Sequence, residues 1–541
     1  MIGVIANSSE RAVICEFFEL FKTPWEFFSS DRSYEVLLCA GEGNYGQHAA
    51  NVVLVYAGRK LAFDTAAKIE IVSQAKGPRM LSCKQFRIPI YGESVTFVGE
   101  TGVVVQGEPQ DAASHQQERG THVVRIGYDL FGEIRTLLTT GQPEANAGVP
   151  ALELHIALLR ELIVACGVLL AEIPPVPAGY RLIACLTHDV DHPYIRLHKF
   201  DHTMLGFLYR AVFGSLIGVL RGRVSLKDLL TNWAAAVKLP FVHLGLAKDF
   251  WNDFDRYVEL EDGLHSSFFV IPFKDCPGQN GGGTVSQWRA ARYGAVDLAP
   301  IIRQLMSAGC EIGVHGIDAW CDSSKGREEL DQIRRITGRK EVGIRMHWLY
   351  FEEQSPATLE RAGADYDSTI GYNRTVGYRA GTTQAYKPLS VERLLELPLH
   401  IMDTALFFPR YLHLSSVEAR EQIGRIVTNA AQFGGVVTVN WHDRSLAPDR
   451  LWGCVYVNML AELKCQGAWF ATAAQAVSWF RKRRSAVFEN ISLESGKLRT
   501  KIVCKAGDDL PDLQLRLHGG PQMHQDVAIT PVSSECTLTY P

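Results

Sequence analysis

From residue 181 onward, short apolar runs alternate with segments of helical periodicity. "LIACLT" (182–187), "SSFFVI" (266–271), "CEIGVH" (310–315), "EVGIR" (341–345), "YDSTI" (366–370), "LLELPL" (394–399), "GVVTVNWH" (435–442) and "AWFAT" (468–472) have the length and apolar enrichment of buried strands. Between them lie amphipathic stretches such as "VDLAPIIRQLMSAG", with its terminal glycine stop, a charged segment from Arg327 to Thr337, and "SVEAREQIGRIVTNAAQFG". Strands alternating with helices predict a parallel sheet with crossover connections. Seven or eight such strands in roughly 300 residues predict a closed or nearly closed β/α barrel.

The flanks read differently. "NVVLVYAG" and "ESVTFVG" predict strands, while "YDLFGEIRTLLTTGQ" and "PALELHIALLRELIVACGV" predict helices, so residues 1–172 form a mixed α/β accessory domain. The prolines of "EIPPVPAGY" (172–180) mark a boundary, and the barrel is expected over 181–485. After "WFRKRRS" the pattern changes to period two, with turn signals at Ser495-Gly496 and at Ala506-Gly507-Asp508-Asp509. This predicts a small carboxy-terminal β unit over 486–541, with covering a barrel edge as its expected role.

Composition narrows the classes. A net charge of −4 with 21% charged residues leaves no basic footprint for nucleic acid. Twelve cysteines without a CxxC pair are not a disulfide framework, and Cys185 and Cys310 sit in strand-like runs, which favours a reducing compartment. The start "MIGVIANSSERAVICEFFELF" lacks the features of a signal peptide, so a cytoplasmic location is expected. The apolar run Met204–Leu220 carries Arg210 near its middle and is shorter than the ~20 residues of a membrane span. It predicts a helix packed on the protein or lying at a membrane surface, hence a peripheral membrane contact. It belongs to a long insertion, 192–264, between the first two barrel strands.

Candidate chemistry falls at strand ends: His188, Asp189, Asp191 and His192 after the first strand, His315 and Asp318 after the third, Arg345 and His347 after the fourth, His442 and Asp443 after the seventh. In β/α barrels such positions converge on one mouth. Asp189 and Asp191 are two apart, so an extended backbone points both to one side. Two neighbouring carboxylates repel unless a proton or a cation is shared. A carboxylate with one or two imidazoles suits zinc or a similar divalent transition metal. Spacing leaves Asp318 and His347 as alternatives for completing the shell. "GYRAGTTQAYKP" (377–388) is expected as a loop by the mouth, with Arg379 facing substrate. Trp320, Trp348, Tyr350 and Trp441 are candidate sugar-stacking residues.

Over residues 181–480 these motifs resemble the polysaccharide deacetylases of the NodB-homology type, carbohydrate esterase family 4. "THDVD" resembles the first motif, "HGIDA" stands at H-x-x-x-H, "RMHW" at R-x-P, and "NWHD" resembles the closing L-x-H. The resemblance implies a distorted barrel of the NodB type and a hydrolase of carbon–nitrogen bonds acting on N-acetylated carbohydrate. It implies Asp189 as general base, Asp191 and His315 as metal ligands, Arg345 orienting the base and His442 as general acid, with Asp403 holding His442. Two positions depart from the pattern: Ala319 replaces the second histidine and His347 replaces the proline. Completion of the metal shell by His347 or Asp318, a metal-independent hydrolase of another C–N bond, and a non-catalytic glycan-binding relative all follow as readings of that departure.

Overall fold

The computed structural model describes all residues except 43–49, 85, 100, 109, 119, 280–289, 495–496, 505–508, 521–522, 530–533 and 540–541. The chain folds into two compact units, one made of residues 1–179, 378–389 and 478–541, the other of 180–377 and 390–477.

The first unit is mixed α/β. Its six-stranded sheet runs in the order Ala113–Glu118, Thr121–Ile126, Val52–Tyr56, Val36–Ala40, Ile2–Ile5, Trp25–Phe27, parallel except at the Ala113–Glu118 edge. The helices expected from periodicity span Leu130–Thr139 and Ala151–Ala165. The carboxy-terminal strands are not a separate domain: Leu513–Gly520 pairs antiparallel with Leu170–Glu172, and Arg483 donates to the carbonyls of Ile173 and Leu20. Period-two patterning marks such strands but carries no information about which edge they join. The turn signals at Ser495-Gly496 and Ala506–Asp508 lie outside the described residues. The eleven cysteines whose side chains are described are all free.

The loop 377–388 departs from expectation. Tyr378–Leu389 belongs to the first unit. Its Thr382 and Thr383 hydroxyls donate to the buried Glu153 carboxylate, and the Arg379 carbonyl accepts from Gln142 N–H at 2.8 Å. A buried acid needs these donors, so the segment is a structural strap of that unit.

The second unit holds the parallel sheet, numbered here β1 (Leu182–Val190), β2 (Ser266–Val270), β3 (Glu311–Gly316), β4 (Ile344–Met346), β5 (Tyr366–Asp367), β6 (Leu395–Glu396), β7 (Ile401–Met402), β8 (Val436–Asn440) and β9 (Ala468–Phe470). The order is β6-β5-β4-β3-β2-β1-β8-β7, with β9 also paired to β1. The sheet curls, and its two edges, β6 and β7, are the two ends of one extended stretch. Between them the Leu399 and His400 N–H groups donate to Ile370 and Thr438 carbonyls. The proline in "LLELPL" removes a ladder donor there, so of the strand expected over 394–399 only Leu395–Glu396 pairs, and a second short strand follows at Ile401–Met402. The architecture is an α/β fold with a curled parallel sheet, open in its ladder and compatible with the distorted, closed or nearly closed barrel that was expected.

The insertion 192–264 forms a helical hairpin. The run His202–Leu220, long and apolar enough to cross a membrane by length and composition only, passes through a π-helical turn at Tyr209–Gly214 and packs against the helix Leu226–His243. Met204, Phe207 and Ala211 bury against Ala235, Leu239 and Val242. Arg210 pairs with Asp449 at 2.7 Å, which accounts for a charge in an apolar run.

Candidate active site

The last residues of β1 alternate. Thr187, Asp189 and Asp191 share one face, as the period of two requires. His188 takes the other, buried against Tyr257 and Phe268, with Nδ1 donating to the Trp441 carbonyl at 2.8 Å. Val190 is fully buried.

Asp189 is held from two strands. Arg345 Nη1 donates to its Oδ1 at 3.0 Å and to Thr187 Oγ1 at 2.6 Å. The guanidinium is itself fixed by the Ser368 carbonyl and hydroxyl, both at 2.9 Å, and lies over the Phe269 ring at 4.5 Å. Asn440 Nδ2 donates to Asp189 Oδ2 at 2.7 Å, while its Oδ1 accepts the Asp189 N–H at 3.1 Å. Charge-assisted bonds of this kind fix the orientation of a carboxylate.

Asp191 has different partners. Its Oδ1 lies 3.3 Å from His315 Nε2 and 3.5 Å from His347 Nε2, and Oδ2 lies 3.7 Å from His442 Nε2. Oδ1 is buried without a hydrogen bond. His315 Nδ1 donates to the Arg345 carbonyl at 3.1 Å, which turns Nε2 toward Asp191. Ligand atoms of Asp191, His315 and His347 all lie within 4.8 Å of one another. Burial opposes ionisation of Asp191, but the three imidazoles hold it well below the usual carboxylate range. Burial pushes His347 down to about 4 against the pull of Asp191. Burial likewise opposes protonation of His315, yet Asp189 and Asp191 raise it. One orphaned carboxylate oxygen faced by two imidazoles fits a divalent transition metal, zinc among them.

Asp318 is not part of this group. Its Oδ2 accepts from Lys325 Nζ at 2.8 Å and its Oδ1 from Gln279 N–H at 2.7 Å. The loop is stapled by Glu329, which accepts the N–H groups of Ile317 and Asp318. Ala319 is fully buried, and a Cβ added to Gly326 would come within 3.0 Å of the Ala319 Cβ, so a helix occupies the space of any larger side chain. His347 arrives instead from β4, ahead of two consecutive non-glycine residues with positive φ, Trp348 (64°) and Leu349 (51°). Such strain persists where surroundings over-determine it.

His442 is set by Asp403, as the resemblance implies. Asp403 Oδ1 accepts from His442 Nδ1 at 2.6 Å and Oδ2 from His442 N–H at 2.7 Å, with the Ser445 hydroxyl also donating. Burial would lower His442, but Asp403, Asp191 and Asp189 raise it to about 9, so it is an imidazolium at neutral pH.

These groups open into a cavity of about 200 Å³. Of the four candidate aromatics, only Trp348 lines it. Trp320 and Trp441 are buried in packing, and Tyr350 stands against Trp320. Sequence reasoning missed Asn440, Ser368, Arg444 and Arg450. Asn440 had a readable signal, standing two before His442 on the same strand-end alternation; the others lie on loops with none.

No family model and no curated protein matches the chain. Solved structures do resemble it. A "putative polysaccharide deacetylase" from Mycobacterium smegmatis aligns at 20% identity over 57% of this chain and 95% of its own, with a TM-score of 0.36. A mutant of a CE4-family pseudoenzyme with restored enzymatic activity aligns at 11% identity over 57% and 70%, with a TM-score of 0.27.

Proposed function

We propose that this protein is a metal-dependent hydrolase that removes N-acetyl groups from a carbohydrate. The observation that carries the reading is the separation of two carboxylates: Asp189 is held by Arg345 and Asn440, while Asp191 offers a buried, unbonded oxygen to His315 and His347. Asp191, His315 and His347 would hold the metal, which supplies Lewis-acid polarisation of the amide carbonyl and acidification of water. Asp189, with lone pairs left beyond those used by Arg345 and Asn440, accepts a proton from the attacking water. His442 protonates the departing amine. Arg345 orients Asp189. Protein purified without chelator is expected to carry one transition-metal ion per chain and to release acetate from N-acetylglucosamine oligomers. Acetate release that survives complete metal removal would instead support the metal-independent hydrolase. Tight binding of the oligomers without release would support a glycan-binding protein.

We further propose that the 202–246 hairpin rests on an anionic membrane. Its outer face leaves Leu205, Phe213, Leu220, Val237, Leu244 and Leu246 more than half exposed. Between residues 199 and 248 there are seven Lys/Arg and two Asp. An apolar face with a cationic surround suits an interfacial helix pair. His202 and Thr203, at the start of the hairpin, line the cavity, so a membrane-borne saccharide would reach the reacting groups. Full-length protein is expected to sediment with phosphatidylglycerol vesicles and less with phosphatidylcholine, the difference shrinking as salt rises. Phe213→Ser with Leu220→Ser should weaken binding at least about tenfold; equal binding by the variant would exclude the hairpin.

A further inference from the structure

The cavity is lined by a buried arginine whose Nε and Nη1 have no hydrogen-bond partner among the described residues. Of its lining acids, Asp191 faces His315, His347 and His442. Asp189 is bonded to Arg345 and Asn440, and Asp201 accepts from Thr203 N–H, Met204 N–H and His198 Nδ1. Arg444, which lines the same cavity, is only 9% exposed, and its guanidinium sits over the Trp251 ring at 4.6 Å. Its Nε and Nη1 are buried with no hydrogen-bond partner. The nearby carboxylates make their hydrogen bonds elsewhere, Asp443 accepting the backbone N–H groups of Arg444 and His192 and Asp449 Oδ2 pairing with Arg210, and they act on the Arg444 charge only through space. Arg450 lines the cavity too, packed on Phe408 and Trp452 and bonded through Nη1 to Ser445 Oγ at 3.1 Å.

An unpaired buried guanidinium is costly. Arg444, with the part-buried Arg450 lining the same cavity beside the reacting groups, is answered by an anion entering with the substrate. Guanidinium geometry selects planar or tetrahedral oxyanions, bound through paired N–H donors. We infer that Arg444 and Arg450 form an anion subsite that takes a carboxylate or phosphate carried by the saccharide substrate. The inference rests on the hydrolase reading only for what happens next to the subsite, not for the subsite itself.

The test is calorimetric titration of the full-length protein with inorganic phosphate and, separately, with glucuronate. One saturable site for either anion is expected, weakened about tenfold or more by Arg444→Gln and also by Arg450→Gln. It should survive Asp191→Ala, which separates it from anion capture by a metal. Tighter phosphate binding assigns a phosphate-bearing substrate and tighter glucuronate binding an acidic sugar. Absence of saturation by both anions overturns the subsite, as does saturation indifferent to both substitutions. If Arg444→Gln fails to fold, Arg450→Gln decides alone. Arginine-dependent anion binding in a protein that releases no acetate would sink the deacetylase reading and leave the subsite standing.

Discussion

Asp189→Asn is expected to keep its metal and lose turnover, whereas Asp191→Ala loses both. The asparagine preserves shape and can still accept from Arg345, but it cannot take a proton, so kcat should fall about 10²–10⁴-fold, the range of general-base removal. Metal content by atomic spectrometry should not change, because Asp189 does not belong to the Asp191–His315–His347 group. Removing Asp191 takes the only carboxylate from that group. The same measurement separates the two alternatives left by spacing. His347→Ala should lower metal affinity by at least about tenfold, a loss of ligand rather than of support. Asp318→Ala should leave metal content at the wild-type value, since that carboxylate is bonded to Lys325 and Gln279. A metal-free Asp318→Ala protein beside a metal-replete His347→Ala protein would reverse the assignment.

The second large effect belongs to Asp403→Asn. Asp403 accepts from His442 Nδ1, His442 N–H and the Ser445 hydroxyl. An asparagine must turn an amide donor toward one of these donors. The imidazole then loses both its orientation and the charge that supports its proton. A fall in kcat of about 10²–10⁴-fold is expected, as for other positioning carboxylates behind a catalytic histidine. The pH profile gives a readout that a merely structural role would not move. In the wild-type protein burial lowers His442 and Asp403 raises it, with the balance at about 9. The acid form is therefore present at neutral pH and is lost as pH rises through that value. Without the Asp403 charge, burial dominates, so the alkaline limb of kcat/KM should move to lower pH. An unshifted limb with unchanged kcat would remove Asp403 from the mechanism.

Much of this was legible along the chain. Alternation in "LTHDVDH" places Asp189 and Asp191 together and sends His188 and Val190 away, because strand geometry is local. The pairing of His442 with Asp403 was legible only through resemblance, since 39 residues separate them along the chain. The strap 378–389 and the carboxy-terminal strands were misplaced for the same reason. Their patterns state what they are, extended and half-buried, but not which edge or carboxylate they meet.

The sequence by itself determined the chemistry available: strand ends carrying Asp, His and Arg, and an amphipathic insertion with an excess of cations. The tertiary structure decided which of those groups meet. His315 and Arg345 are register partners on β3 and β4, so the residue two past Arg345 lands beside His315. Asp318, only three residues from His315 in the chain, is captured by the loop and helix that follow. Coordination depends on distance across neighbouring strands, whereas spacing in a sequence measures distance along one. The same distinction explains Arg444, which reads as an ordinary polar residue after "NWHD" and becomes a buried guanidinium with unpartnered Nε and Nη1 only when Trp251 and the cavity wall close around it.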